Sequence, residues 1–143
     1  MSSVNQILSR KQSQLISVHT GTSVLDALKV MAEKNIGSVV VTDKNGNFQG
    51  IITERDYARK VVLLGKSSTE VMVEEIMSKE LPSLSLNDTT EHCMMLMTNK
   101  NIRYLPVFAA NELKGIISMS DVVKETILMQ QETISHLKEY INQ

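Results

Sequence analysis

The chain has no tryptophan, and aromatic residues make up 3 % of its 143 residues. Proteins that grip single-stranded nucleic acid stack bases on several aromatic side chains, so this scarcity argues against that class. An excess of positive charge is missing too: 15 Lys and Arg stand against 16 Asp and Glu, for a formal net charge of −1. A phosphate-backbone binder shows a strongly basic face, although a local pocket with a few basic residues stays compatible. Cys93 is the single cysteine, which excludes an internal disulfide and any cysteine-rich metal spacing and points to a reducing compartment. No apolar run approaches the roughly 20 residues of a membrane span, and the opening MSSVNQILSRKQSQ lacks the apolar stretch of a secretory signal. The expectation is a soluble, cytoplasmic protein with neither membrane nor nucleic acid as partner. The basic, Ser-rich N-terminus leaves an organelle address as the alternative.

Catalytic groupings are missing as well. His19, His92 and His136 have no metal-like spacing, and Cys93 has no visible partner base to activate its thiol. Glu75, Glu80 and Glu91 form no acid–base pair, and there is no nucleophile elbow or P-loop. We therefore expect no metal site, no catalytic residue and no enzyme.

What the chain does contain is a repeat, which appears on shifting the sequence by about 66 positions. Asn35-Ile36 falls on Asn101-Ile102 and Val39 on Leu105. After a one-residue deletion in the next turn, Gly50-Ile51-Ile52-Thr53 falls on Gly115-Ile116-Ile117-Ser118, and Asp56 on Asp121. Each copy reads as βαββα. Leu15–Val18 and Pro82–Leu86 are short extended runs. Thr22 or Ser23 then caps one helix, and Asp88-Thr89-Thr90-Glu91 reads as a capping box for the other. The helices carry helical-period apolar faces, Val24, Ala27, Leu28, Met31 and Ala32 in one, Cys93, Met94, Leu96 and Met97 in the other. Ser38–Val41 and Phe48–Thr53 are strands joined by turn chemistry centred on Asn45-Gly46. Leu113–Ser118 closes the second hairpin after a shorter turn at Ala109–Glu112. Final helices start near Glu54 and Met119. Gly65–Thr69 reads as a linker, Val71–Ser78 as a short helix leading into copy two, and Val4–Leu8 as its counterpart. The division is thus 1–66 for the first repeat with its lead-in, and 67–143 for the second with an extended C-terminal helix.

The chemistry concentrates where the last strand of each copy meets its last helix. Gly50-Ile51-Ile52-Thr53-Glu54-Arg55-Asp56 and Gly115-Ile116-Ile117-Ser118-Met119-Ser120-Asp121 share one pattern. A helix start offers unsatisfied N–H groups and partial positive charge, which suit a phosphate. The Thr or Ser hydroxyl can donate to a phosphate oxygen, the Asp can accept from a ribose diol, and Arg55 adds a permanent cation. The same [S/T]-x-x-D pattern is also a plain capping motif.

The repeat, the GIITERD and GIISMSD junctions and the IRYLPV strand resemble the CBS domain, named after cystathionine β-synthase. IITERDYAR followed by GKSS is similar to small stand-alone CBS-pair proteins of bacteria and plant organelles. The resemblance implies an α/β (α+β) fold of tandem βαββα repeats arranged as a pseudo-two-fold CBS pair, or Bateman module. It implies an adenosyl ligand: AMP, ADP, ATP, NAD(H) or S-adenosylmethionine. Carried over by position, Asp121 would hold ribose in one cleft, with Ser118 and Ser120 near phosphate, and adenine would meet Ile16 and Ile36-Gly37-Ser38. Asp56 would hold ribose in the other, with Thr53 and Arg55 near phosphate, and adenine against Pro82 and Ile102-Arg103-Tyr104. Pro106, in the same strand, completes the set. Gly37 stands where copy two has Arg103, so the two sites are not equivalent.

In the C-terminal helix Ile127, Ile134 and Ile141 recur every seven residues with Leu137 beside them, a coiled-coil-like seam. It points to an oligomer interface, and the resemblance implies a homodimer. The functional expectation is an adenine-nucleotide-binding sensor that modulates an unknown partner protein. The alternative is a structural or oligomerisation module with no ligand.

Overall fold

The computed structural model describes residues 2–11 and 14–142. The chain forms two compact units, Gln14–Leu81 and a second built from Met1–Ser13 together with Pro82–Gln143.

In the unit Gln14–Leu81, helix α2 (Val24–Lys34) starts at Ser23, whose side chain accepts from the Asp26 N–H. Val24, Ala27 and Met31 are buried and Leu28 packs against them. Ala32, expected on the same face, is exposed, because one step past Met31 turns it about 100° away. The helix ends at Asn35 in the left-handed region (φ 55°), which Asn tolerates better than most residues, and the Ile36 N–H closes the turn on the Met31 carbonyl at 2.9 Å. Strand β1 (Ser17–His19) pairs parallel with β2 (Ser38–Thr42), and β2 antiparallel with β3 (Phe48–Thr53). In the β2–β3 turn the Asp43 carboxylate accepts from the Asn45 and Asn47 N–H groups. Donation from Asn47 is the main reason its carboxyl titrates below the usual range. The core gathers Val18, Val39, Val41 and Ile52 from the sheet with the buried face of α2.

The other unit repeats this scheme with small departures. Helix α5 (Thr90–Lys100) is capped by Thr89, which accepts from the His92 N–H. The expected box starting at Asp88 is therefore displaced by one residue. Asp88 instead accepts from the Ser85 N–H, and Glu91 falls too early in the helix to close the box. Cys93 and Met97 are buried, Met94 is exposed, and burial pushes the Cys93 thiol up to about 11. Asn101 (φ 53°) ends the helix as Asn35 does, which gives the Asn-Ile match between copies its physical reason. Strands β4 (Tyr104–Ala109) and β5 (Glu112–Ser118) form an antiparallel pair. Ala110 and Asn111, both at positive φ, make the tight hairpin turn. The run Pro82–Leu86 forms no strand. Its one sheet-like contact is a parallel bridge from Leu84 to Val107.

The two lead-ins pack in a way that chain order does not suggest. Helix α1 (Val4–Lys11) belongs to the unit of the second copy. Its Val4 N–H donates to the Asp88 carbonyl at 2.8 Å, and Val4 and Ile7 are buried with Leu84, Met97, Leu105 and Ile117. Helix α4 (Val73–Ile76) takes the equivalent place in the unit of the first copy, with the Val73 N–H on the Thr22 carbonyl at 2.9 Å. Ser3 bridges Thr89 as Met72 bridges Ser23. Each repeat is thus completed by a lead-in other than the one directly before it in sequence.

Candidate functional site

In the unit Gln14–Leu81, β3 ends at Thr53 and helix α3 (Glu54–Tyr57) follows, continued by a π-helical turn at Ala58–Val62. Thr53 Oγ1 accepts from the Asp56 N–H at 3.0 Å, while Asp56 Oδ2 accepts from the Thr53 N–H at 3.0 Å and from Oγ1 at 3.1 Å. This is a reciprocal capping box. The other carboxylate oxygen, Oδ1, lies 3.2 Å from Lys60 Nζ, which also donates to the Ile76 carbonyl at 2.8 Å. The Gly37 carbonyl accepts from the Glu54 N–H at 3.2 Å, and Ser38 is in register with Thr53, so Ile36-Gly37-Ser38 runs beside this junction. Arg55 has a different status. Its Nη1 is buried and has no hydrogen-bond partner among the described residues.

In the other unit, β5 ends at Ser118 and helix α6 (Met119–Ile141) follows. Ser118 Oγ accepts from the Asp121 N–H at 3.1 Å and Asp121 Oδ2 accepts from the Ser118 N–H at 2.8 Å. The Ser118 and Ser120 hydroxyls lie 3.0 Å apart. The cation on Asp121 comes from α1: Lys11 Nζ is 2.9 Å from Oδ2 and 2.7 Å from the Ile116 carbonyl. At the position equivalent to Lys60 stands Glu125, 3 % exposed, held by Ser2 Oγ at 2.8 Å and Arg10 Nε at 3.2 Å. The Met119 N–H donates to the Arg103 carbonyl at 2.9 Å and Tyr104 is in register with Ser118, so Ile102-Arg103-Tyr104 runs beside this second junction.

The two junctions share one backbone plan. In each, a strand ends at a capped helix start, a half-buried Asp lies beneath a lysine, and a glycine lies three residues before the hydroxyl. The chain matches the CBS domain over residues 4–63 and 73–127. It belongs to the CBS-domain family. A mitochondrial CBS-domain-containing protein of Arabidopsis thaliana, CBSX3, is 38 % identical over 127 residues, which cover 85 % of this chain and 61 % of that protein. The chain thus spans less than two thirds of that relative's length. A solved protein with CBS domains from Burkholderia ambifaria MC40-6 superposes with a TM-score of 0.84 at 42 % identity, over 89 % of this chain and 95 % of that one. The CBS domain pair of protein MJ0100 superposes with a TM-score of 0.76 at 26 % identity, over 88 % of this chain and 96 % of that one. That structure contains 5′-methylthioadenosine and S-adenosyl-L-methionine. The mixed α+β fold of tandem CBS repeats is thereby established.

For the rest of the expected site, the CBS frame places Ile16 just ahead of β1, its carbonyl accepting from the Val40 N–H at 3.2 Å. Pro82 is half-buried. Pro106 is buried within β4, its carbonyl accepting from the Leu84 N–H at 2.8 Å. Arg103 is exposed. Two residues that touch the Asp carboxylates were missing from the sequence reading. Lys60 was legible, since a lysine four residues after an aspartate shares its helix face. Lys11 carried no local signal, because its partner lies far along the chain. Among the described residues, no helix is long and apolar enough to cross a membrane.

Proposed function

We propose that this CBS pair is a cytoplasmic regulatory module, without catalytic activity, that binds an adenosyl nucleotide at its Asp56 and Asp121 junctions. Ligand-dependent repacking of the repeats then modulates a partner protein. The ligand class is AMP, ADP, ATP or NAD(H), with S-adenosylmethionine also within its chemistry, and the protein acts as a homodimer. The observation that carries this reading is the buried Arg55 Nη1 without an acceptor. A buried donor left unpaired costs about 1–3 kcal/mol, and a phosphate oxygen at the helix start would satisfy it with a charge-assisted bond. Asp121 adds an acceptor, since its Oδ1 takes part in none of the bonds described. The adenosyl ligands held by the MJ0100 pair lend support from a relative. In this reading Thr53, Arg55 and Asp56 serve one ligand, and Ser118, Ser120 and Asp121 the other. Ile16, Ile36-Gly37-Ser38, Pro82, Ile102-Arg103-Tyr104 and Pro106 supply the surroundings of the bases.

Calorimetric titration with AMP, ATP, NADH and S-adenosylmethionine tests it, repeated on Asp56→Asn, Asp121→Asn and Arg55→Ala. The Asn variants keep the oxygen that completes each cap. We expect binding by the intact protein, and loss of phosphate-bearing ligands in Arg55→Ala. Absence of binding up to millimolar ligand would sink the reading. A second reading, a structural module that binds nothing, is favoured by one observation: both Asp residues already serve capping boxes and lysines. The same titration separates the two.

A further inference from the structure

Helix α6 outlasts the domain it belongs to. Its domain-facing side is marked by the buried Val122 and Glu125 and the half-buried Met129. Every residue from Gln130 to Asn142 is exposed. Three turns of lone helix are marginal in water without a packed face, yet this stretch carries one. Val123, Ile127, Gln130, Ile134, Leu137 and Ile141 alternate in steps of four and three, the a/d spacing of a coiled coil. The five apolar members are 47–77 % exposed in the whole chain. At about 100° per residue the centre of this stripe lies about 130° round α6 from the face of Val122, Glu125 and Met129. A second helix can therefore dock on it without displacing the domain.

We infer that the stripe from Val123 to Ile141 pairs with the same stripe of a second copy as a parallel, two-stranded coiled coil. Charge selects the orientation. With Ile127, Ile134 and Ile141 at a, the e positions are Lys124, Gln131 and Lys138, and the g positions Thr126, Thr133 and Tyr140. An antiparallel pair sets e against e and brings Lys124 of one copy against Lys138 of the other, twice. A parallel pair sets g against e and meets no like charges. Isoleucine fills the a positions and Val123, Gln130 and Leu137 the d positions; a β-branched residue at a with leucine at d, as at Ile134 and Leu137, is the combination that favours two strands. The inference names the surface of the proposed homodimer and does not depend on nucleotide binding.

Sedimentation velocity on the full chain tests it. The intact protein sediments as a dimer. Ile134→Asp, at an exposed position outside the domain core, sediments as a monomer with an unchanged nucleotide titration, and its melt no longer depends on protein concentration. Ile141→Cys forms a disulfide-linked dimer on mild oxidation, because parallel in-register helices place the two a positions face to face. Cys93, buried and with its thiol raised, does not compete. A monomeric intact protein, a dimer unaffected by Ile134→Asp, or a dimer that Ile141→Cys fails to link would each overturn the proposal. Failure of nucleotide binding alone would leave it standing and sink only the sensor reading.

Discussion

The two junctions use the same cap and the same aspartate but recruit their cations differently. Asp56 takes Lys60 from one turn further along its own helical segment. Asp121 has Glu125 at that position and takes Lys11 from the N-terminal helix instead. Glu125 in turn is neutralised by Arg10 from the same α1. The first copy's junction is therefore locally complete, whereas the second copy's junction depends on a segment roughly a hundred residues away in sequence. A duplicated fold need not duplicate its electrostatics. With Lys11 covering Asp121, position 125 carries a glutamate that anchors α1 through Arg10.

The largest effect that sharpens this comparison comes from the lead-ins. Ile7 and Ile76 are each 3 % exposed and occupy equivalent places. Replacing either by alanine costs about 2–5 kcal/mol by the usual large-to-small scale. Ile7→Ala should release Lys11 from Asp121, and Ile76→Ala should leave Asp121 untouched. Urea denaturation gives the energies, and amide exchange at Asp121 and Asp56 reports which junction loosens. Equal loosening of both junctions by Ile7→Ala would break the comparison.

The junction glycines come next. A Cβ on Gly50 would lie 2.7 Å from the Ser78 carbonyl oxygen, a backbone atom. A Cβ on Gly115 would lie 2.7 Å from Leu8 Cδ2, the end of a flexible side chain. Gly50→Ala is expected to destabilise by about 1–3 kcal/mol, the range for overpacking, and Gly115→Ala by less. The reverse order in melting temperature would show that α1 is held more rigidly than α4.

Removing the caps probes what the copies share. Thr53→Ala and Ser118→Ala should each cost about 1 kcal/mol, and should cost the same, because both boxes use equivalent atoms. The smallest effect is that of the lysines. Lys60→Met and Lys11→Met remove partly exposed ion pairs worth about 0.2–1 kcal/mol. Stability curves should barely separate them, while raising salt should narrow the remaining gap.

Much of this was legible beforehand. The hairpins follow from β-branched runs around Asn-Gly and Ala-Asn turns, and β3 spans Phe48–Thr53 as its pattern predicts. The repeated Asn-Ile marks a left-handed helix end in both copies. Thr53 and Ser118 cap the helices as their spacing from Asp56 and Asp121 requires. Ala32 and Asp88 show where local patterns stop being informative. An alanine fits either face of a helix, and two adjacent threonines compete with an aspartate to be the cap.

The candidate site divides in the same way. The hydroxyl, the aspartate and Arg55 are sequence facts, because a strand running into a helix places residues three apart on one end of that helix. The unpaired state of Arg55 Nη1 is not, since nothing local states which acceptors come near. What the sequence by itself determined is the repeat, its turns, its caps and the apolar stripe of α6, all set by interactions within a few residues. What only the tertiary structure decided is which lead-in completes which repeat, and with it the lysine that covers Asp121. The apolar pattern of Val4–Lys11 demands a buried partner but does not say which of two nearly equivalent faces will provide it. That choice rests on the summed packing of residues far apart in the chain.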